Sequence, residues 1–206
     1  MNLPPLLVQL VFLGVLSLLT GCQDPTTGIT QVEGRIINNY NGQAVGGASV
    51  QVYHASTAGG YGQVGPSYPA DAQGRFSFQF DATSKSGYLV RASTPLGYST
   101  DWAVAPSLTA GRKNTGLVIT MLAPAWVRLQ VVDKAPKNRV SMHISGYDGP
   151  GDQLNYPRDT TLIRPMLAGY AGKIIWVIRD ATNTPTQYSQ DVKLAPLDTL
   201  TIPISF

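Results

Sequence analysis

The sequence predicts an all-β protein in which one β-sandwich is followed by a second, smaller β-sandwich. Its 206 residues are enough for one domain or for two small ones. Glycine (21 residues) and proline (15 residues) are frequent, and Glu33 is the only glutamate, whereas threonine, valine, serine and tyrosine are plentiful. Because strong helix formers are scarce and β-branched residues are common, this composition favours strands over helices.

The stretch from Val32 to Tyr53 predicts two strands joined by a turn. Val50 and Val52 alternate with Gln51 and Tyr53, so that apolar and polar side chains point to opposite faces of one strand. The residues between the two strands are mostly glycine and asparagine, which tolerate a positive φ and allow the chain to reverse.

A third strand carries the clearest apolar face. The segment RFSFQFD places Phe76, Phe78 and Phe80 on one side and polar residues on the other, which predicts a core-forming strand of a half-solvated sheet. Just before it, Asp71 and Gly74 occupy the first and last positions of a predicted type I turn.

These features resemble the carboxypeptidase regulatory-like domain family, whose transthyretin-like sandwiches occur in many bacterial envelope proteins. The matching residues are Gly34, Gly47-Ala48-x-Val50-x-Val52, Asp71-x-x-Gly74-x-Phe76-x-Phe78 and Tyr88-Leu89-Val90-Arg91-Ala92. The resemblance covers residues 29–122. It implies a seven-stranded sandwich of immunoglobulin-like or transthyretin-like architecture, usually without catalysis of its own.

Within this half, the segment Ala55–Gln73 is long and rich in Gly, Ser, Tyr and Pro. A connection of this length in a sandwich is either a short extra strand or a functional loop.

Residues 125–206 then predict the second sandwich, with five or six strands. Pro203 has no backbone donor, so its strand should lie at a sheet edge or present that position outward. The alternative is a single elongated sandwich.

Residues 1–22 predict a lipoprotein signal peptide. The apolar run from Leu6 to Leu19 is too short to span a bilayer and fits a signal peptide, although the usual positive charge before it is missing. It ends in LTGC, which looks like a bacterial lipobox, so we expect diacylglycerol on Cys22, the only cysteine. Residues 23–28 would form a flexible tether, and Gln23 favours delivery to the outer membrane.

Groups that could support catalysis are few. His54 and His143 are far apart in sequence and lie at polar-side positions of predicted strands, so neither predicts a base or a zinc ligand. Asp148 and Asp152 are better explained by an ordinary turn than by a calcium site. The net charge of +3 is spread along the chain and does not indicate a nucleic-acid partner. We therefore expect no enzymatic activity, metal or cofactor.

Aromatic side chains are the better candidates for a binding site. Tyr61, Tyr68, Tyr98 and Trp102 lie in or near predicted loops of the first sandwich, where aromatic rings can stack on sugars. Packing beneath a long loop is the ordinary explanation for such tyrosines, and binding to sugars is the alternative. The sequence thus favours a membrane-anchored envelope lipoprotein with a non-enzymatic structural or interaction role. A cell-surface carbohydrate-binding accessory module is the alternative, and the expected partners are the membrane and envelope proteins or glycans.

The lipobox generates the first prediction. Replacing Cys22 by alanine removes the thiol that would be acylated, so Cys22→Ala should abolish fatty-acid labelling and leave an unprocessed or released protein. Metabolic labelling with a palmitate analogue followed by membrane fractionation measures both effects. Labelling that survives the substitution would contradict the lipid anchor.

Overall fold

The structure is a computed structural model that describes residues 27–56, 58–83, 87–134 and 139–206. Within these ranges the chain forms fifteen β-strands and one 3-10 helix, which agrees with the predicted all-β class. The first eight strands are β1 (Gly28–Asn38), β2 (Ser49–Ala55), β3 (Tyr61–Pro69), β4 (Arg75–Ala82), β5 (Tyr88–Ser93), β6 (Ser99–Thr100), β7 (Ser107–Leu108) and β8 (Lys113–Leu122). The last seven are β9 (Pro124–Val132), β10 (Arg139–Ser145), β11 (Asp152–Asn155), β12 (Thr160–Leu167), β13 (Ala171–Asp180), β14 (Pro185–Lys193) and β15 (Thr199–Ser205). The 3-10 helix spans Trp102–Val104.

The first sandwich consists of two three-stranded layers joined at one side. Hydrogen bonding runs in the order β3-β2-β5-β6-β8-β1-β4, so the short strand β6 connects the layer β3-β2-β5 to the layer β8-β1-β4. Strand β7 adds to β5. The side chains buried between the layers include Val32, Ile36, Val50, Val52, Phe76, Val90, Ile119 and Met121. The alternation in the sequence therefore predicted the buried face correctly.

The second sandwich has a four-stranded sheet, β11-β10-β13-β14, packed on a three-stranded sheet, β12-β9-β15. It contains seven strands rather than the five or six expected from the sequence. Its core includes Val127, Leu129, Val131, Met142, Ile144, Ile174, Ile202 and Ile204. Strand β15 is an edge strand, and Pro203 within it is exposed, as its missing donor predicted.

The two sandwiches share one topology. The first strand of each sandwich is the central strand of three: β1 lies between β4 and β8, and β9 lies between β12 and β15. In both cases the central strand is antiparallel to the fourth strand of its sandwich (β4 or β12) and parallel to the last (β8 or β15). In each, the second strand pairs with the third and the fifth: β2 with β3 and β5, and β10 with β11 and β13. The second half is therefore a structural repeat of the first.

The predicted turn before β4 is present. The Gly74 amide donates to the Asp71 carbonyl at 3.0 Å, and the Asp71 carboxylate accepts the Arg75 amide at 2.7 Å. Gly74 has a φ of +70°, and a Cβ there would lie 2.7 Å from the Ile36 carbonyl oxygen. Glycine is therefore required at this position both by the backbone conformation and by the neighbouring strand.

The sandwiches join directly, because only Ala123 separates β8 from β9. Tyr98 packs against the buried clusters of both sandwiches. The Asn39 amide donates to the Tyr170 hydroxyl at 3.1 Å across the junction. One buried cluster lies within residues 32–121 and the other within residues 123–206. The division into separate domains, 29–122 and 125–206, and their independent folding remain predictions.

Two local expectations need correction. Of the two alternatives left open for the segment Ala55–Gln73, the structure has the extra strand, β3, so Tyr61 and Tyr68 lie on a strand and not in a loop. Phe78 is only partly buried, unlike Phe76 and Phe80. The reason is that β3 and β4 are the two ends of the hydrogen-bonded path, and the Phe78 ring stacks on Tyr68, with 3.9 Å between centroids, to cover this open side.

A charged cluster connects the two sheets of the second sandwich. Arg164 on β12 forms two hydrogen bonds with Asp152 on β11. Its Nε donates to Oδ2 at 2.8 Å, and its Nη2 donates to Oδ1 at 2.7 Å. The Tyr147 hydroxyl also donates to Oδ2 of Asp152. The hydrogen bonds from Arg164 lower the pKa of Asp152, against the opposing effect of burial. Burial, followed by the hydrogen bond to Asp152, raises the pKa of Tyr147.

The second prediction compares two phenylalanines of β4. Phe76→Ala should lower the free energy of unfolding by about 3–5 kcal/mol, because a fully buried ring leaves a cavity. Phe78→Ala should cost less, about 1–3 kcal/mol, because its ring is already partly in contact with solvent. Urea unfolding followed by fluorescence gives both values. Equal losses would show that the stack on Tyr68 buries Phe78 as completely as the core buries Phe76.

The third prediction concerns the Arg164–Asp152 pair. Arg164→Met should lower the free energy of unfolding at pH 7 by about 1.5–3 kcal/mol, a typical value for charged hydrogen bonds. Because the folded pKa of Asp152 lies below its unfolded value, the pair stabilises the protein above about pH 4. This stabilisation is lost as the pH falls through the folded pKa.

Urea unfolding at pH 7 and pH 3 measures the effect of this pair, and the difference between wild type and Arg164→Met should shrink at the lower pH. Lys173→Met is the matched control, because it breaks an exposed ion pair with Asp191 at 3.3 Å. That loss should stay below about 1 kcal/mol. A difference between wild type and Arg164→Met that is the same at both pH values would contradict the role of the Asp152 charge.

Candidate functional site

The outer surface of the layer β3-β2-β5 carries a cluster of three aromatic rings and one arginine: Tyr53, Tyr61, Trp102 and Arg91. We call this cluster the aromatic face. Its positions follow from strand register, because Tyr61 lies opposite Ala55 on β2 and Arg91 lies opposite Gln51. Tyr53, Gln51 and Ala55 alternate with the buried Val50 and Val52, so all of these side chains point away from the core.

Trp102 reaches this face because the chain crosses it after β6. Asp101 caps the 3-10 helix, with its Oδ1 accepting the Ala103 amide at 3.0 Å. Arg91 donates from Nε to the Thr100 carbonyl at 3.0 Å, and its Nη2 donates to the same oxygen. The arginine of β5 therefore fixes the backbone that presents Trp102 to the sheet.

The rings of the aromatic face are in close contact. The Arg91 guanidinium carbon lies 3.7 Å from the Trp102 ring centroid, at cation–π distance. Tyr53 meets Trp102 edge-on at 5.0 Å, and Tyr61 stacks on it at 5.1 Å with an interplanar angle of 20°. Burial lowers the pKa of Arg91, and Tyr53 and Asp101 partly oppose this shift.

Two of these rings remain open to solvent. Tyr61 is 52% exposed and Trp102 is 43% exposed, although both are held by stacking. An aromatic side chain that is both exposed and fixed loses little conformational entropy when a ligand covers it. The aromatic face is therefore organised as a contact surface, and its four side chains include no nucleophile paired with a base.

A row of uncharged polar groups continues from the aromatic face across β2 and β3. The Tyr53 hydroxyl donates to Gln51 Oε1 at 2.7 Å, and Gln51 Nε2 donates to Ser67 Oγ at 3.1 Å. Gln63, directly opposite Tyr53, points to the same side and donates to the Gly65 carbonyl at 3.3 Å. We call these four side chains (Gln51, Tyr53, Gln63 and Ser67) the polar row. Each retains unused hydrogen-bonding capacity toward solvent.

The structure brings together two of the four aromatic residues proposed from the sequence, Tyr61 and Trp102. Tyr68 instead stacks on Phe78, and Tyr98 packs between the two sandwiches. Cys22 lies outside the described residues. The site of lipid attachment therefore remains a prediction.

Two members of the aromatic face were not proposed from the sequence, Tyr53 and Arg91. The sequence contained a signal for both, because Tyr53 follows the buried Val52 and Arg91 lies between the buried Val90 and Ala92, so that each points outward. What it lacked was the pairing of β2 with β5, two strands that are separated by β3 and β4 along the chain. Without that pairing, nothing placed Arg91 beside Tyr53.

The remaining polar candidates do not form a chemical site. His54 Nδ1 is 3.0 Å from the Ala55 carbonyl oxygen in the first sandwich, whereas His143 belongs to the second. Asp152 is paired with Arg164, so it is not available to a calcium ion. Within the described ranges, no three His, Cys, Asp or Glu side chains are grouped so that they could hold a metal.

None of the residues in these ranges forms a helix long and apolar enough to cross a membrane.

Comparison with known proteins gives distant structural similarity. No protein-family model matches the chain, and no curated protein matches it. A minor pilin of the Gram-positive pathogen Streptococcus agalactiae is similar at 12% identity and a TM-score of 0.36, over 86% of this chain and 94% of the pilin. A streptococcal ancillary pilin is similar at 12% identity and a TM-score of 0.37, over 88% of this chain and 63% of that one.

A DUF3823 family protein from Bacteroides uniformis is similar at 11% identity and a TM-score of 0.29, over 82% of this chain and 99% of that one. All three similarities are too distant to indicate a function. The resemblance of residues 29–122 to carboxypeptidase regulatory-like domains accordingly remains an interpretation of the sequence, within a β-sandwich fold that the strands themselves establish.

Proposed function

We propose that this protein is a lipid-anchored, non-enzymatic component of the bacterial cell envelope, held at the outer membrane through Cys22, with a structural or interaction role. In this proposal the first sandwich is a carboxypeptidase regulatory-like domain that supports the second. The LTGC sequence that ends at Cys22 supports the anchor, and the direction of β1 supports the orientation of the molecule. That strand starts beside the tether and ends beside the second sandwich.

The length of β1 separates the two ends of the first sandwich. Its 11 residues, Gly28–Asn38, span about 36 Å at the usual rise of a strand. Gly28 follows Cys22 by six residues, which reach at most about 20 Å from the lipid. At the other end of β1, Asn39 contacts Tyr170 of the second sandwich. A lipid on Cys22 would therefore keep the first sandwich near the membrane and the second away from it.

The junction favours a fixed arrangement of the two sandwiches. A connection of one residue, Ala123, leaves little room for reorientation. A Cβ on Gly169 would lie 2.5 Å from the Tyr40 ring, which shows how closely the two surfaces approach. A short rigid body on a tether is suited to present its far end to other envelope components.

A second candidate function is a cell-surface carbohydrate-binding accessory module. The half-exposed, stacked rings of Tyr61 and Trp102 favour it, because they lie on the outside of a sheet, where rings not needed for the core remain free to contact a ligand. This candidate is compatible with the first one, since both have the same anchor and neither includes catalysis.

Distance from the membrane tests the proposed orientation, and this is the fourth prediction. Thr83→Cys places a label beside the start of β1, because the preceding residue, Ala82, pairs with Gly28. Thr182→Cys places one at the turn after β13, at the far end of the second sandwich. Acylation would block the thiol of Cys22, so each new cysteine would be the sole labelling site. In vesicles containing an acceptor lipid, energy transfer should be much stronger from position 83 than from position 182.

The same two labels on a Cys22→Ala background provide the control, because this protein should not associate with vesicles and should show little transfer from either site. Equal transfer from the two positions would mean that the molecule lies flat on the membrane. Stronger transfer from position 182 would reverse the proposed orientation.

A further inference from the structure

We propose that the aromatic face and the polar row together bind a neutral polysaccharide in an extended conformation. This inference rests on the second candidate function above and specifies its ligand. Three features of this surface support the inference. Tyr61 is exposed, Arg91 is already engaged in contacts within the protein, and the polar row extends along the strands.

Tyr61 provides the stacking contact. Its ring packs on Trp102, which is itself held by Arg91 and Tyr53, so the tyrosine is fixed while half of its surface faces solvent. The faces of aromatic rings are electron-rich, and the C–H groups on one side of a pyranose ring carry the complementary partial charge. Trp102 contributes less direct contact, because Arg91 and Tyr61 already occupy its ring.

The charges on this surface select a neutral sugar. Arg91 already donates to the Thr100 carbonyl and lies on the Trp102 ring, so its guanidinium is not free to pair with a ligand carboxylate. The four side chains of the polar row are uncharged. Asp101 lies close enough to Arg91 to influence the pKa of that residue, and it would repel an acidic sugar. Hydroxyl groups, which donate and accept, match amide and hydroxyl side chains best.

The shape of the surface selects a chain over a single sugar. Tyr61 lies opposite Ala55 of β2 and Ser67 bonds to Gln51, four residues away on that strand, which corresponds to about 13 Å. Gln63 lies between them, and Gln51 and Tyr53 run alongside on β2. A ligand that uses both the stacking contact and the far end of the polar row must therefore cover more than one sugar unit along the strand direction.

The test uses the full-length lipidated protein on vesicles and fluorescently labelled soluble polysaccharides, and it forms the fifth prediction. The neutral probes are a mixed-linkage β-glucan, galactomannan, arabinoxylan and dextran, and the acidic probes are alginate and polygalacturonate. We expect at least one neutral probe to co-sediment with the vesicles and both acidic probes to remain in solution. Tyr61→Ala and Gln51→Ala should each weaken the neutral binding at least about fivefold, which corresponds to about 1 kcal/mol.

Tyr188→Ala is the matched control. Tyr188 is 45% exposed and stacks on Trp176 in the second sandwich, at a centroid distance of 5.8 Å, so it is a stacked tyrosine of similar exposure that is remote from the polar row. Its removal should leave binding unchanged. Tyr61→Phe keeps the ring and should retain most of the affinity, which separates loss of stacking from loss of folding.

Binding of no neutral probe, binding of acidic probes only, or equal effects of Tyr61→Ala and Tyr188→Ala would each overturn the inference. The anchor is scored separately in the same experiment, by whether the protein itself sediments with the vesicles. A protein that sediments without polysaccharide contradicts only the ligand. A protein that stays in solution and still retards the migration of a neutral probe in a native gel contradicts only the anchor.

Discussion

The direct passage of β8 into β9 through Ala123 is the constraint on which the shape of the molecule depends. With one residue between the sandwiches, the loops at the facing ends must fit each other closely. Tyr98 fills the space between the two cores, and glycine is the residue at position 169, where a side chain would meet the Tyr40 ring. The orientation proposed relative to the membrane follows from this fit, because a looser connection would leave the second sandwich free to fold back.

The sequence was most informative where a strand has one buried face. Alternation identified the buried sides of β2 and β4, since burial imposes a period of two. The missing backbone donor of Pro203 indicated the edge position of β15. No apolar period marks β3 or β14, whose residues are mostly exposed or half-buried, so the sequence left the β3 segment open between a strand and a loop. Both are edge strands, and edge strands with two polar faces resemble loops in a sequence. This is why the second sandwich has more strands than its sequence indicated.

Site prediction was limited by a different physical factor. Tyr61 and Trp102 could be proposed because aromatic residues outside a predicted core are unusual enough to notice. Tyr68 and Tyr98 look the same in the sequence, and only the tertiary fold shows that the first covers an open side of the sandwich and the second fills the junction. Arg91 presents the opposite case. Its outward direction followed from alternation, but its role depends on a pairing between β2 and β5 that no local pattern reveals.

The parallel pairing of first and last strands also determines when each sandwich can form. Strand β1 needs β8 as a neighbour, and β9 needs β15, so neither three-stranded arrangement is complete until its final strand has been synthesised. Such long-range pairing makes folding slow, because a large loop must close before the contacts form. The first sandwich therefore cannot be completed before Leu122 has been synthesised, and the second cannot be completed before Ser205. That delay would suit the export that the proposed signal peptide implies, because an exported chain crosses the membrane before it folds.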